Sequence, residues 1–356
     1  MSEIDPRTGA APGLDPLVDP DALKTYLDDL FGNDEDLEIS RHQAGHSNET
    51  FFVTRGDDAM VLRRPPRPPY LPTAHDVQRE HTLLNALHPL GIRVPRPIVY
   101  CADESVIGAH FYLMEKVEGT VIRHEVPPEL DSPEQHARIG EELIDALAEL
   151  HMADWRAAGL DGFGKPTGYI SRQLKRWNMQ LEGATKLTRP VPDLVKLTQW
   201  LHEHEPPEQE HTVVQGDYKL DNVVFAPGDR ARLVAILDWE MGTIGDPLAD
   251  LGYAMSFWRE PGDAPDPLHS ALGDVFSGEG WHTRQGLIDR YASKTGRDMT
   301  DLTFYLVLAV WKLAILLEGS YARHLMGTTD DPFFAALEQG VPALAARAMQ
   351  IAKHGA

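Results

Sequence analysis

Between Val213 and Glu240 the sequence reads VVQGDYKLDNVVFAPGDRARLVAILDWE, and few chain architectures accommodate that order of apolar and polar residues. An apolar pair, Val213-Val214, precedes a polar turn from Gly216 to Asn222. Val223-Val224-Phe225 then reads as a short strand, and Pro227-Gly228-Asp229 as a turn. Leu233 to Leu237 reads as the returning strand, ending on Asp238-Trp239-Glu240. A hairpin of this kind places Asn222 and Asp238 near one end, with Asp217 on the loop just before it.

That arrangement suits phosphoryl transfer, which needs a carboxylate to orient a hydroxyl and oxygen donors to hold Mg²⁺ on nucleotide phosphates. Asp and Asn taken singly are ordinary turn residues, so the joint pattern carries the signal. The segment resembles the catalytic core of the aminoglycoside phosphotransferase-like (choline kinase-type) small-molecule kinases, whose pattern is H-G-D-x-x-x-x-N followed by I-D-W/F-E. Gln215 stands where that pattern has His, and it retains hydrogen-bonding capacity. The resemblance implies that Asp217 orients the acceptor hydroxyl and takes its proton. It implies that Asn222 and Asp238 bind Mg²⁺, and that Lys219 contacts the γ-phosphate.

The N-terminal third then falls into order. Residues 1–18 read as a disordered tail. Asp19-Pro20 starts a helix with Leu23, Tyr26, Leu27 and Leu30 at helical spacing, ended by Gly32-Asn33. Strands are expected at Leu37–Ser40, Phe51–Thr54 and Ala59–Arg64. Gln43 to Thr50 makes a polar turn that reads either as a plain hairpin turn or, by resemblance to G-H-S-N-x-T, as a phosphate-covering loop of Gly45, His46, Ser47 and Asn48. Arg63 falls where kinases carry the strand lysine and would hold the inner phosphates; a surface arginine at a strand end is the plainer reading. A helix is expected from Ala74 to Leu87, with Glu80 placed to ion-pair with Arg63 or to lie on a solvated face. Strands at Ile98–Ala102 and Ala109–Val117 lead to a hinge-like segment whose backbone near Glu115 and Val117 would meet the adenine edge.

From Ser132 onward the periodicity is helical, with helices expected from Ser132, over Tyr169–Leu181, Val191–His204, Trp281–Lys294, Asp301–Leu325 and Pro332–His354. Arg172, Lys175 and Arg176 form a candidate anion contact for substrate, weighed against an ordinary solvated face; Glu240 and Arg323 are further candidate substrate contacts. In G-D-P-x-x-D-L, Asp246 is expected to cap a helix and Asp250 to brace the catalytic loop. His151 reads as a structural histidine, and His202, His204 and His211 as surface residues. No A-P-E-like segment follows the core, so a peptide-seating activation loop is not expected.

Composition narrows the function further. Formal net charge is −22 over 356 residues, which argues against nucleic acid and anionic membrane as partners. The single cysteine, Cys101, excludes an intrachain disulfide and a cysteine-based zinc site. The apolar run Phe304 to Leu317 is interrupted by Lys312 and is too short to span a bilayer, and the acidic N-terminus has no signal-peptide core, so a cytoplasmic location is expected. The resemblance extends over residues 37–352 and implies an α+β, two-lobed protein-kinase-like fold: a β-rich N-lobe over residues 19–117 and a mostly helical C-lobe over residues 118–356. The implied activity is transfer of the γ-phosphoryl group of Mg²⁺-bound ATP or GTP to a hydroxyl of a small molecule. A catalytically weak nucleotide-binding sensor is the alternative. Within the family the chain is similar to the branch of kinase domains fused to acyl-CoA dehydrogenases in eukaryotes. That branch suggests hydroxyacyl-CoA or hydroxy-acid acceptors beside aminoglycoside-like ones; acceptor and oligomeric state stay open.

Overall fold

A computed structural model describes residues 5, 7–9, 16–42, 48–68, 75–208, 210–263, 275–327 and 332–355. The chain divides into two compact units, Met1–Glu118 with Ala235–Glu240, and Gly119–Val234 with Met241–Ala356.

In the first unit, helix α1 (Pro20–Phe31) starts where Asp19 accepts hydrogen bonds from the Asp21 and Ala22 amides at 3.0 and 3.2 Å, and ends on Gly32 in the left-handed region. Five antiparallel strands follow, β1 (Leu37–His42), β2 (Glu49–Arg55), β3 (Asp58–Arg64), β4 (Pro97–Cys101) and β5 (Phe111–Glu115), in the order β1-β2-β3-β5-β4. Alternation sorts their side chains between two faces. Phe51, Val53, Met60, Leu62, Phe111 and Leu113 pack with Leu23 and Leu27 of α1 into one core. The pairing register aligns Thr50, Arg63 and Tyr112 across the opposite face, which helix α2 (Val77–Leu87) covers by packing on β4 and β5.

Several boundaries differ from the sequence reading. Leu17 and Val18, placed there in the disordered tail, are buried in the α1 core. Helix α2 begins at Val77 rather than Ala74, because the Asp76 carboxylate caps it and His75 sits at φ 63°. The fifth strand is Phe111–Glu115 rather than Ala109–Val117.

The second unit is mostly helical: α3 (Pro133–His151), α4 (Tyr169–Thr185), α5 (Pro192–Glu203), α6 (Pro247–Phe257), α7 (Arg284–Thr295), α8 (Leu302–Leu325) and α9 (Pro332–His354). Asp246 caps α6 as expected, accepting from the Leu248 amide at 3.0 Å. Helix α7 starts three residues later than expected, where the Thr283 hydroxyl accepts from the Gly286 amide at 3.1 Å. Helix α8 is long and apolar enough to cross a membrane by composition, but 78% of its most apolar window is buried against neighbours that include α4, α5, α6 and α9. Two strand pairs frame the polar turn. Strand β6 (Thr212–Val214) pairs with β9 (Thr243–Gly245), a strand the sequence reading did not foresee, and β7 (Val223–Phe225) pairs with β8 (Leu233–Ile236). Gly119, at φ 149°, opens the unit where a Cβ would meet the Phe225 carbonyl oxygen at 2.2 Å, so only glycine passes.

Candidate active site

The loop from Gln215 to Asn222 is pinned peptide group by peptide group. The buried Asp250 carboxylate accepts from the Gln215 amide at 2.6 Å and the Gly216 amide at 2.9 Å, which is the bracing expected of it. The Gln215 side-chain oxygen accepts from the Asp217 amide at 2.6 Å, so glutamine supports the loop where the family pattern carries histidine. Tyr218 is fully buried, and its hydroxyl donates to the Leu143 carbonyl of α3 at 2.7 Å. Behind Asp250 stands His151, with Nε2 3.4 Å from that carboxylate and Nδ1 2.6 Å from the Tyr291 hydroxyl. Burial, opposed by Asp250, lowers the His151 pKa, which favours the neutral ring expected of a structural histidine.

On this platform Asp217 and Asn222 meet. The Asn222 amide nitrogen donates to the Asp217 carbonyl at 2.9 Å and to its carboxylate at 2.7 Å. Lys219 lies 3.5 Å from the Asp217 carboxylate and 3.1 Å from Asp221. Burial works against the Lys219 charge, but the two carboxylates outweigh it and raise the pKa. The Tyr253 hydroxyl faces Asp217, and burial with that negative charge lifts the phenol well above its ordinary range.

The sequence reading treated Lys312 only as a break in an apolar run. Its ammonium donates to the Gly216 carbonyl at 2.5 Å and lies over the Tyr253 ring at 4.5 Å from the centroid. A cation inside the apolar run Phe304 to Leu317 was the available signal, because such a charge is buried only with partners.

In the first unit the polar centre is Glu80, which is 1% exposed. Its carboxylate accepts from Tyr112 at 2.9 Å, from Arg63 Nε at 3.2 Å, and from the Asn48 amide. Arg63 therefore makes the ion pair inferred from sequence, and its guanidinium also reaches Asp238 at 3.1 Å. Asp238 sits at φ 56°; with His75 it is the only non-glycine residue at positive φ among the described residues. Strain of this kind is tolerated where the surroundings fix the residue. Burial penalises the Arg63 charge, but Glu80, Tyr112, Asp238 and Glu240 outweigh it and raise its pKa. Burial raises the pKa of Glu80 against the pull of Arg63.

The remaining candidates are less integrated. Gly45, His46 and Ser47 lie outside the described residues, whereas Asn48 is buried beside Glu80 and 3.1 Å from His75. The Glu115 amide is bonded to the Arg96 carbonyl at 2.9 Å and the Lys116 amide to Ala59 at 3.0 Å, and Val117 follows beyond the ladder. Arg172 closes its fork on the carbonyls of Lys165 and Thr167, so it braces its own loop. Arg176 is exposed beside Trp177, Lys175 and Glu240 are exposed, and Arg323 is exposed with a bond to Ser320 at 3.0 Å.

Asp217, Asn222 and Lys219 share one pinned loop, and the first unit holds a strand arginine paired with a buried helix glutamate. By its relatives the chain is a small-molecule kinase with a hydroxyl acceptor. The model of the Phosphotransferase enzyme family matches residues 38–287, and the chain belongs to that family. Acyl-CoA dehydrogenase family member 11 of Gallus gallus is 36% identical over 323 residues, covering 89% of this chain and 40% of that protein. The human protein of that name is 34% identical over 345 residues, covering 94% and 43%. The chain thus spans less than half the length of these relatives. A solved candidate aminoglycoside phosphotransferase from Ralstonia eutropha matches with a TM-score of 0.79 at 31% identity, over 94% of this chain and 98% of that one. A choline kinase from Cryptosporidium parvum shares the two-lobed α+β fold, with a TM-score of 0.62 at 11% identity over 90% and 91%.

Proposed function

We propose that the chain transfers the γ-phosphoryl group of a magnesium-bound nucleoside triphosphate, ATP or GTP, to a hydroxyl of a hydroxyacyl-CoA or hydroxy acid. The Asp217–Asn222 bond at 2.7 Å on a fully braced loop carries this reading. It holds the carboxylate in one rotamer, and orientation of a reacting group is a large part of what phosphoryl transfer asks of a protein. Asp217 orients the acceptor hydroxyl and takes its proton late in transfer. Lys219 meets the γ-phosphate, and Arg63, held by Glu80, meets the inner phosphates.

The donor set suits Mg²⁺. With its amide nitrogen committed to Asp217, Asn222 keeps its amide oxygen for a cation. Asp238 of the first unit, which the resemblance makes the second ligand, carries a carboxylate that is 34% exposed. Hard oxygen donors in small number fit an ion that shares its shell with phosphates and water. When bound, the ion neutralises charge on the phosphates. Support for a nucleotide donor comes from proteins of the same fold: a spectinomycin phosphotransferase was solved with ADP and spectinomycin, and an aminoglycoside 2′-phosphotransferase with GDP. The names of the curated relatives favour an acyl-type acceptor.

The test is ³¹P NMR with Mg·ATP or Mg·GTP and pooled hydroxyacyl-CoAs, hydroxy acids, aminoglycosides, amino alcohols and sugars. A new phosphomonoester signal that is absent with Asp217→Asn supports the assignment, and splitting the pool names the acceptor. Nucleotide binding without transfer across the pool would favour a nucleotide sensor.

A further inference from the structure

The Gly216 carbonyl has its partner on α8. Asp250 holds the two preceding amides and Gln215 holds the Asp217 amide, while Lys312 donates to that carbonyl at 2.5 Å. The peptide between Gly216 and Asp217 is thereby fixed at both its oxygen and its nitrogen, and that peptide sets where the Asp217 side chain points.

The ammonium is held by more than this bond. It lies 4.5 Å from the centroid of Tyr253 on α6 and 5.6 Å from that of Trp177 on α4, so two aromatic faces fix it between helices. The charged groups around it come from every side. Asp217 and Asp250 favour its charge, whereas Arg176 on α4, Lys219 on the loop and burial oppose it. An apolar residue here would make a more stable helix, because a cation inside this run carries a desolvation cost.

We propose that Lys312 is a positioning residue for phosphoryl transfer: clamped between Tyr253 and Trp177, it locks the Gly216–Asp217 peptide and so fixes the aim of the Asp217 carboxylate. Lys312 touches neither donor nor acceptor and acts through the loop. The inference rests on the reading of Asp217 as the group that orients the hydroxyl, and the clamp is measured separately from that reading.

The experiment compares wild type with Lys312→Met, similar in volume but unable to donate, and Lys312→Arg, which can still donate and stack. Two readouts are taken. Amide hydrogen exchange followed by mass spectrometry reports residues 213–222 against α6 and α9. Mg·ATP turnover with water as acceptor reports kcat and the nucleotide KM. In Lys312→Met, exchange in residues 213–222 should rise about tenfold while α6 and α9 stay protected. Its kcat should fall about a hundredfold with the nucleotide KM little changed, the cost of misplacing a reacting group by about 1 Å. Lys312→Arg should restore most of both. Loop exchange within about twofold of wild type in Lys312→Met would overturn the proposal, as would an equal rise over all helices of the unit in both variants. Should the Met variant fail to fold, Lys312→Leu, which likewise cannot donate, carries the same comparison. A wild type without Mg·ATP turnover would count against the catalytic reading of Asp217, and exchange would still decide the clamp.

Discussion

Glu80→Ala removes the acceptor on which Asn48, Arg63 and Tyr112 converge. Breaking a buried ion pair by deleting one partner costs about 3–5 kcal/mol, because the surviving charge stays out of water. Here Arg63 is 13% exposed but keeps Asp238 at 3.1 Å, and Asp238 is 34% exposed, so the pair falls at the low end, about 3 kcal/mol. An unpartnered Tyr112 hydroxyl adds about 1–2 kcal/mol, and neighbours in one network do not add fully, so the total should be about 3–5 kcal/mol. Tryptophan fluorescence is the wrong probe, since of the seven tryptophans only Trp239 belongs to the first unit. Native-state hydrogen exchange over Asp58–Arg64 and Phe111–Glu115 reads the affected strands directly. The paired replacement of Arg63 and Glu80 by Met should lose less than the sum of the single changes, because no charge is then stranded. A loss below about 1 kcal/mol for Glu80→Ala, or strict additivity in the pair, would refute the reasoning.

Asp217→Asn should bind nucleotide as wild type does in calorimetry while its kcat falls about 10²–10⁴-fold, the usual contribution of a positioned base. Asp250→Ala strands the amides of Gln215 and Gly216 and should cost about 2–4 kcal/mol in urea unfolding, with slower turnover. Gly216→Ala places a Cβ 2.8 Å from Met241 Cβ at φ 88°, and should lower the thermal midpoint through about 1–3 kcal/mol of backbone strain together with that clash. Hydrogen bonds from Lys24 and Arg55 hold the Asp28 pKa at about 2, below its ordinary value. The stability this lends is complete above the unfolded-state pKa and is lost as pH falls toward 2, so wild type should lose more stability than Asp28→Asn between pH 5 and pH 2 in acid titration.

The sequence made the loop legible because its chemistry is local. Gly216, Asp217, Lys219 and Asn222 are neighbours in the chain, so the turn brings them close before the helices add their braces. The Arg63–Glu80 pair was legible for a different reason: strand register and helix phase each fix a direction, and the family pattern supplied the match between them. Lys312 was not legible as a site residue, because its partner is a main-chain carbonyl far away in sequence. A backbone partner leaves no side-chain pattern to read. The sequence leaves Arg172 open between an anion contact and an ordinary solvated face, because exposed cations at helical spacing look alike; in the structure its fork closes on the carbonyls of Lys165 and Thr167. Strand β9 escaped because Thr243-Ile244-Gly245 is too short for alternation to show.

The return of Ala235–Glu240 to the first unit bears on how the protein is made. A ribosome releases residues 1–118 long before Asp238, so the nascent unit must wait through more than a hundred residues of helical chain for its last piece. Until then Arg63 has Glu80 but not Asp238, and the Arg93 carbonyl lacks the Ile236 amide that reaches it at 2.7 Å. Loop closure over that separation makes the last contact entropically expensive and slow. A fragment cut after Glu118 is therefore an unfinished object. Any attempt to produce this unit alone should splice residues 235–240 back onto it.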